Sequence, residues 1–352
     1  MFNEQLYNTP YHKIDISEYS FLVTGGAGFI GSNLVEYLLR FKAGRVRVLD
    51  NLSNGYFENI KNFMDLPNFE FIEGDIRDLE ICQKAVKDMN FISHQAALGS
   101  VPRSIADPIT SNEVNVSGFL NMLIAAKDSL VLDQMVYAAS SSTYGDSAKL
   151  PKVEGNEGAP LSPYAVTKLV NELYADVFSK VYGFNTIGLR YFNIFGPKQN
   201  PNNPYAAVIP IFCKNFIEGS QPVINGGGHT SRDFTFVENA VQANIKALLY
   251  SKEIIAEITE INCINNQKLG LKQHEVFNVA CGDQISLNEI IDVLRRISNE
   301  NIEIKYVPER AGDVRHSKAS IEKIKKFCDY SPKFRFSEGL EIVYNWYKST
   351  LI

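Results

Sequence analysis

The sequence predicts an α/β protein, a doubly wound parallel sheet joined to a smaller α/β lobe. Three observations predict it. Short runs rich in β-branched and aromatic residues alternate with longer segments of helical spacing from Phe21 to Asn193. The glycine-rich stretch "TGGAGFIGS", residues 24–32, stands where the first such run meets the first helical segment. The next run, "RVRVLD", ends on an acidic residue, Asp50. Strand, helix, strand at this rhythm calls for parallel strands covered on both faces.

The elements follow in order. Phe21, Leu22 and Val23 form the apolar run before the glycines, and Leu34, Leu38, Leu39 and Phe41 recur at helical spacing after them. The first strand-to-strand unit closes at Asp50, and right-handed crossovers then wind the sheet in both directions. Further strands are expected at "FEFIEGD", "FISHQAA", "MVYAASS" and "TIGLRYFN". From Gly196 to Pro204 proline, asparagine and glycine dominate, which reads as a loop leaving the sheet. Ser286 and Glu289 announce a helix to Ile297 through a capping box. Ala256 to Gln273 is polar and weakly patterned, and an exposed insertion is expected there. The expected division is residues 1–192 for the first domain and 193–352 for a discontinuous lobe, with the chain returning to the first near 233–255.

Bulk properties remove several function classes. At 352 residues, 45% hydrophobic and 21% charged, the chain suits a globular protein of two domains or one large one. A net charge of -5 gives no general attraction to nucleic acid or an anionic membrane surface. No apolar run approaches the length that spans a bilayer, and the first twenty residues are polar and broken by Pro10, unlike a signal peptide. The five cysteines are scattered singly, without metal-ligand spacing. A cytoplasmic protein with reduced thiols, no metal, no nucleic-acid partner and no membrane partner is the expectation.

The glycines need a reason, because each costs backbone entropy. A tight turn would supply one. A pyrophosphate brought against bare backbone at a helix N-terminus supplies another, and Asp50 at the end of the next strand, within one βαβ unit, favours it. A carboxylate there accepts bonds from an adenine ribose and repels a 2′-phosphate, so NAD is expected rather than NADP. "GDIRD" places Asp75 and Ile76 where an adenine edge could be read.

A second constellation carries chemistry. "SPYAVTK" sets Tyr164 and Lys168 four apart, on one helix face. A phenol titrates at about 10 and needs help to act as a base near neutrality. A neighbouring ammonium, together with nicotinamide charge, is expected to lower that pKa. "ASSSTYG" ends the preceding strand and offers Ser140 to the same substrate oxygen.

With TGGAGFIG, Asp50, GDIRD, HQAA, Asn115, SSSTYG, YAVTK, RYFNIFGP, SRDF and AGDVRHS spread over nearly its whole length, the sequence resembles the extended short-chain dehydrogenases/reductases, a Rossmann-like family, and within it the sugar-nucleotide 4-epimerases. The resemblance implies that Tyr164 is the base, that Lys168 holds the cofactor ribose and tunes it, and that Ser140, with Ser141 and Ser142, stands at the catalytic hydroxyl position. It implies a cofactor site of Gly25, Gly28, Phe29, Ile30 and Gly31 in the glycine loop, and of Asp50, Asn51, Ser53, Asn54 and Gly55 after the second strand. Asp75 and Ile76, then Gln95, Ala96 and Ala97, and finally Asn115, Tyr164, Lys168 and Tyr191 complete it. For the substrate it implies Gly99, Ser100 and Val101, the three serines 140–142, Asn193, Ala207 and Val208. In the lobe it adds Ile224, Asn225, Arg232, Arg310, Asp313 and Ser317. Helices after Pro102 and Pro163 resemble those of a four-helix interface in a homodimer.

The same motifs separate relatives. Sugar-nucleotide 4,6-dehydratases require an acid pair after the catalytic hydroxyl, and UDP-glucuronate decarboxylases usually carry a glutamate there. This chain has Ser141 and Ser142. Epimerisation through a 4-keto sugar needs no such acid. Ser317 aligns with a position that gates bulk near the sugar's C2, and a serine there leaves room for an N-acetyl group. "LGSVPRS" and "YAAVIP" also look like the subgroup acting on UDP-N-acetylhexosamines. The expectation is reversible 4-epimerisation of UDP-N-acetylglucosamine to UDP-N-acetylgalactosamine. Arg103 keeps open a substrate with a C6 carboxylate, UDP-N-acetylglucosaminuronate, through a charge pair. A non-enzymatic NAD-binding regulator is the remaining alternative, and the intact Ser140, Tyr164 and Lys168 set argues against it.

Overall fold

The structure, a computed structural model, describes residues 2–202, 207–261, 274–309 and 316–351. Six strands form where the β-rich runs lie: β1 (Ser20–Thr24), β2 (Arg45–Asp50), β3 (Phe69–Glu73), β4 (Phe91–His94), β5 (Gln134–Ser140) and β6 (Thr186–Tyr191). A seventh strand, His274–Val279, pairs with β6, and all seven run parallel in the order β3-β2-β1-β4-β5-β6 and then His274–Val279. The order reverses between β1 and β4, which opens a crevice at the carboxyl ends of the strands.

Side-chain alternation along β1 builds a core on each face. Phe21 and Val23 join Val46 and Val48 of β2 against helix α1 (Phe29–Arg40), which contributes Leu34 and Leu38. Leu22 and Leu49 face the other way, toward Cys82 of α2 (Leu79–Val86) and Met122 and Leu123 of a helix spanning Phe119–Lys127. Phe41 lies one residue beyond α1 as its C-cap, its ring 4.7 Å from that of Tyr37.

The second half gives the sheet more than one return. The helix Val237–Ile261 packs on α1 and along β4, β5 and β6, and its Ala240, Val241 and Ala243 are fully buried. Residues 256–261, expected to open an insertion, continue this helix; residues 262–273 lie outside the described residues. The capping box forms as expected, with the Glu289 amide donating to Ser286 Oγ at 3.2 Å and the Ser286 amide to Glu289 Oε2 at 2.7 Å.

The N-terminal extension is a strap. Leu6, Tyr7, Tyr11 and Ile16 are buried in the core shared by α1 and the long helix. The Tyr7 hydroxyl donates to Asn33 Oδ1 at 2.9 Å, and the Tyr11 hydroxyl bonds Glu238. Among the described residues the cysteines are free and buried, no cluster of metal-ligating side chains occurs, and no helix is long and apolar enough to cross a membrane.

Candidate active site

The glycine loop sits at the crevice between β1 and β4. Gly25 has φ +68°, and a Cβ on it would stand 2.7 Å from the Ala96 nitrogen. On Gly31 a Cβ would stand 2.1 Å from the Gly25 carbonyl oxygen, inside any possible contact. Backbone therefore packs on backbone here, and Gly28 is the N-cap of α1, which has no side-chain cap. Its first amides remain for an anion. Asp50, at the end of β2, accepts from the Ala27 amide at 2.9 Å and the Leu52 amide at 2.9 Å. Burial pushes its carboxyl up, and those amide bonds pull it back. Asp75 accepts from Arg77 and from Asn51 Nδ2, both at 2.8 Å, and the arginine bonds chiefly hold it down at about 2.

A cleft of about 610 Å³ runs from these groups to the catalytic candidates. Its lining includes Gly25, Gly28, Phe29, Ile30 and Gly31, then Asp50, Asn51, Ser53, Asn54 and Gly55. Asp75 and Ile76, Gln95 to Ala97, and Gly99 to Val101 form the adjoining walls. Ser140, Ser141, Ser142, Tyr164, Lys168, Tyr191 and Asn193 close the far end. A cradle that excludes a Cβ, uncapped helix amides and a buried acceptor at the neighbouring strand end fit a dinucleotide such as NAD.

The helix Pro163–Tyr182 carries the Tyr-Lys pair. Ser162 caps it by accepting from the Ala165 amide at 3.1 Å, and Pro163 fixes its first turn. The Tyr164 amide donates to Ser104 Oγ at 3.0 Å, which fixes this end of the helix against the segment after β4. Ser140 Oγ accepts from the Ser142 amide at 3.1 Å and the Ser142 hydroxyl at 2.9 Å, and it hydrogen-bonds Tyr164. Lys168 Nζ donates to the Ala138 carbonyl at 2.7 Å and lies 5.9 Å over the Tyr164 ring.

The expected lowering of the Tyr164 pKa by Lys168 is not what the protein alone produces. Burial pushes the phenol up, and only the Ser140 bond pulls it down. The reason is desolvation of both partners: burial also pushes the Lys168 ammonium down to about 8, against the opposing pull of Glu172 one turn along.

Two groups of sequence candidates sit away from the cleft. Asn115 lies buried in a π-helical stretch, Glu113–Gly118; it accepts from the Leu98 amide at 2.8 Å and donates to the Leu98 carbonyl at 3.1 Å and Thr167 Oγ1 at 3.2 Å. It braces the wall rather than lining it. Ala207, Val208, Ile224, Asn225, Arg232 and Ser317 belong to the lobe and do not line the cleft. Ile224 is core in a strand paired with Lys305–Val307, Arg232 donates to the Ser231 carbonyl at 2.9 Å, and the Ser317 amide donates to the same carbonyl at 3.1 Å. Arg310 and Asp313 lie outside the described residues.

The sequence did not single out Leu98, Ala138, Ile194 or Gln199 as site residues, yet they line the cleft. Ala138 acts through its carbonyl, which no side-chain motif signals. Arg103, considered for a sugar carboxylate, donates to Asn54 Oδ1 at 3.0 Å, in the loop after β2.

The family described as GDP-mannose 4,6 dehydratase matches residues 22–343. A putative UDP-glucose 4-epimerase of Methanocaldococcus jannaschii is 33% identical over 330 residues, covering 93% of this chain and 98% of the relative. Among solved structures, a UDP-N-acetylglucosamine 4-epimerase from Methanobrevibacter ruminantium, in complex with UDP-N-acetylmuramic acid, has a TM-score of 0.83 and 35% identity over 94% of this chain and 99% of that one. A UDP-glucose 4-epimerase from Thermotoga maritima, with UDP-glucose, also has a TM-score of 0.83, with 31% identity over 95% of this chain and 100% of that one. On this fold, this cradle and these matches, the chain belongs to the NAD-dependent extended short-chain dehydrogenase/reductase family of sugar-nucleotide epimerases.

Proposed function

We propose that the protein is a UDP-sugar 4-epimerase that interconverts UDP-N-acetylglucosamine and UDP-N-acetylgalactosamine. The observation that carries the reaction class is the Ser140, Tyr164 and Lys168 cluster at one end of the dinucleotide cleft, with Ser142 completing the hydroxyl chain. Bound NAD supplies the hydride acceptor and donor for C4. Tyr164 takes the 4-hydroxyl proton at its phenolic oxygen and later returns it, and Ser140 shares that oxygen's hydrogen bond. Lys168, held by the Ala138 carbonyl, places positive charge 5.9 Å over the tyrosine ring and would hold the ribose of the cofactor. Neither Ser141 nor Ser142 can serve as the acid an elimination needs, which supports epimerisation over dehydration.

A serine at position 317, where the resemblance puts the gate near the sugar's C2, supports the N-acetylated sugar, although Ser317 does not line the cleft in the structure. Ser317→Tyr should lower kcat/KM for UDP-N-acetylglucosamine while activity on UDP-glucose holds or rises. Overpacking of about 1–3 kcal/mol or more changes the ratio of the two activities about ten- to hundred-fold. Equal loss of both activities on one preparation removes Ser317 as the gate. Arg103 lines the cleft and donates to Asn54 on its dinucleotide side, so the C6-carboxylate sugar stays the alternative substrate.

We assign a second copy of this chain to the exposed apolar face of three helices. Ile105 of Val101–Ala106 and Ile109 of Pro108–Asn112 are 63% and 71% exposed, beside Leu173, Val177 and Val181 of Pro163–Tyr182, all exposed. The two short helices pack on the long one, so a two-fold copy completes a bundle. Light scattering should give a dimer for the wild type and a monomer for Ile109→Glu with Leu173→Glu. A wild-type monomer at micromolar concentration overturns this assignment.

A further inference from the structure

We infer that Tyr144 and Asn278 are positioning residues, joined in a buried chain that fixes the segment 316–320 against the serine turn. Tyr144 closes the one-turn helix Ser141–Tyr144 that follows Ser140, and its side chain is buried outside the cleft. Its hydroxyl donates to Asn278 Oδ1 at 2.8 Å. The Arg190 guanidinium lies 4.9 Å over its ring and grips Glu172 of the Tyr-Lys helix at 2.9 and 2.7 Å. Glu172 stands one turn beyond Lys168.

Asn278 belongs to the seventh strand and is fully buried. Its Nδ2 donates to the Lys152 carbonyl at 3.0 Å and the Ser320 carbonyl at 3.1 Å. Lys152 is in turn bridged to the same segment, with its amide on the Lys318 carbonyl at 2.7 Å and the Ser320 amide on its own carbonyl at 2.8 Å. Ser317 stands three residues before Ser320. One asparagine amide thus ties the serine turn, the segment at Lys152 and the lobe segment that carries Ser317.

Apolar side chains could fill this space at less desolvation cost, but without direction. A buried polar chain whose members are all paired holds one arrangement, because each broken bond strands a partner in low dielectric. Each hydride transfer needs C4 of the sugar held in a precise pose, so a wall of fixed shape beside Ser140 favours binding in that pose. The inference rests on the reading above only in that the serine turn at Ser140, which lines the cleft, faces the sugar.

The test uses Tyr144→Phe, Asn278→Ala and the double variant as NAD-loaded protein. KM and kcat are measured for UDP-N-acetylglucosamine and UDP-glucose, with Kd for both sugars by calorimetry. Tyr144→Phe should raise KM and Kd about ten-fold with kcat within about three-fold and NAD content unchanged, and the double variant should be no worse than the poorer single one, as expected of partners in one chain. Unchanged Kd in Tyr144→Phe, or additive losses in the double variant, overturns the inference. Should Asn278→Ala fail to fold, Tyr144→Phe decides alone, since it keeps the ring and its packing. A wild type that binds UDP-glucose but not UDP-N-acetylglucosamine defeats the substrate reading, and the link is then judged on UDP-glucose.

Discussion

Tyr164→Phe should remove nearly all turnover, at least a hundred-fold by the usual contribution of a general base of about 10²–10⁴, while nucleotide-sugar binding stays within a few-fold. The ring remains and only the hydroxyl is lost, so the deficit falls on kcat. Ser140 keeps its bonds from Ser142 and loses only its tyrosine partner, so the turn should hold its shape. A variant retaining more than about a tenth of the wild-type rate would exceed what loss of a base leaves, and would sink the assignment. The wild-type pH profile provides a second measure of the same site. Lysine is charged below its pKa, and burial has pushed Lys168 down to about 8, so its charge is lost as pH rises through that value. An alkaline limb in kcat near pH 8 is expected if that charge supports the tyrosine, and Glu172→Gln, which removes the opposing pull, should move the limb to lower pH.

How much of this was legible in the sequence depended on how local the signal was. The six strands up to Tyr191 each form a short apolar run bounded by turn residues, and each lies where its run predicts. The strand His274–Val279 carries an equally apolar run but follows a polar, weakly patterned stretch. Its membership in the sheet comes only from pairing with β6, Val276 opposite Gly188 and Val279 opposite Tyr191, some ninety residues earlier in the chain. That is a tertiary fact with no local mark. The continuation of the long helix beyond residue 255 was hidden for the same reason, since its composition carries no clear helical pattern.

The site divides in the same way. Glycines, Asp50 and the Tyr-Lys spacing are dictated by geometry that sequence spacing encodes, and the fold brings them to one cleft. Asn115 was picked out by motif, and in the structure it ties Leu98 and Thr167 together behind the wall. The direction of the Tyr164 shift was not legible at all. It depends on how deeply two groups are buried and on which way an ammonium turns, and Lys168 turns toward the Ala138 carbonyl.

Gly31→Ala tests the cradle most severely. In an exposed helix the change would be favourable by about 1 kcal/mol, because alanine is the better helix former. Here the new Cβ would lie 2.1 Å from the Gly25 carbonyl oxygen, 2.8 Å from its carbon and 2.9 Å from Gly26 Cα. All three are backbone atoms, so no side chain can turn aside; the loop or the start of α1 must move. Overpacking a core usually costs about 1–3 kcal/mol, and a contact with rigid backbone belongs at or above the top of that range. The displaced loop is the one whose amides await the pyrophosphate, so the loss should appear first in NAD occupancy. Purified Gly31→Ala should carry less than about a tenth of the wild-type NAD, read from the cofactor released on acid denaturation, and should melt several degrees lower, as a domain of this size does for each 1–2 kcal/mol lost. Gly183→Ala supplies the control: it has φ +78° with nothing within 4 Å of a new Cβ, so it strains the end of the Tyr-Lys helix without touching the cradle. It should lose stability and keep its NAD. If Gly31→Ala instead retains a full complement of NAD, the glycines serve only a tight turn, and the cofactor must be held by groups other than this loop.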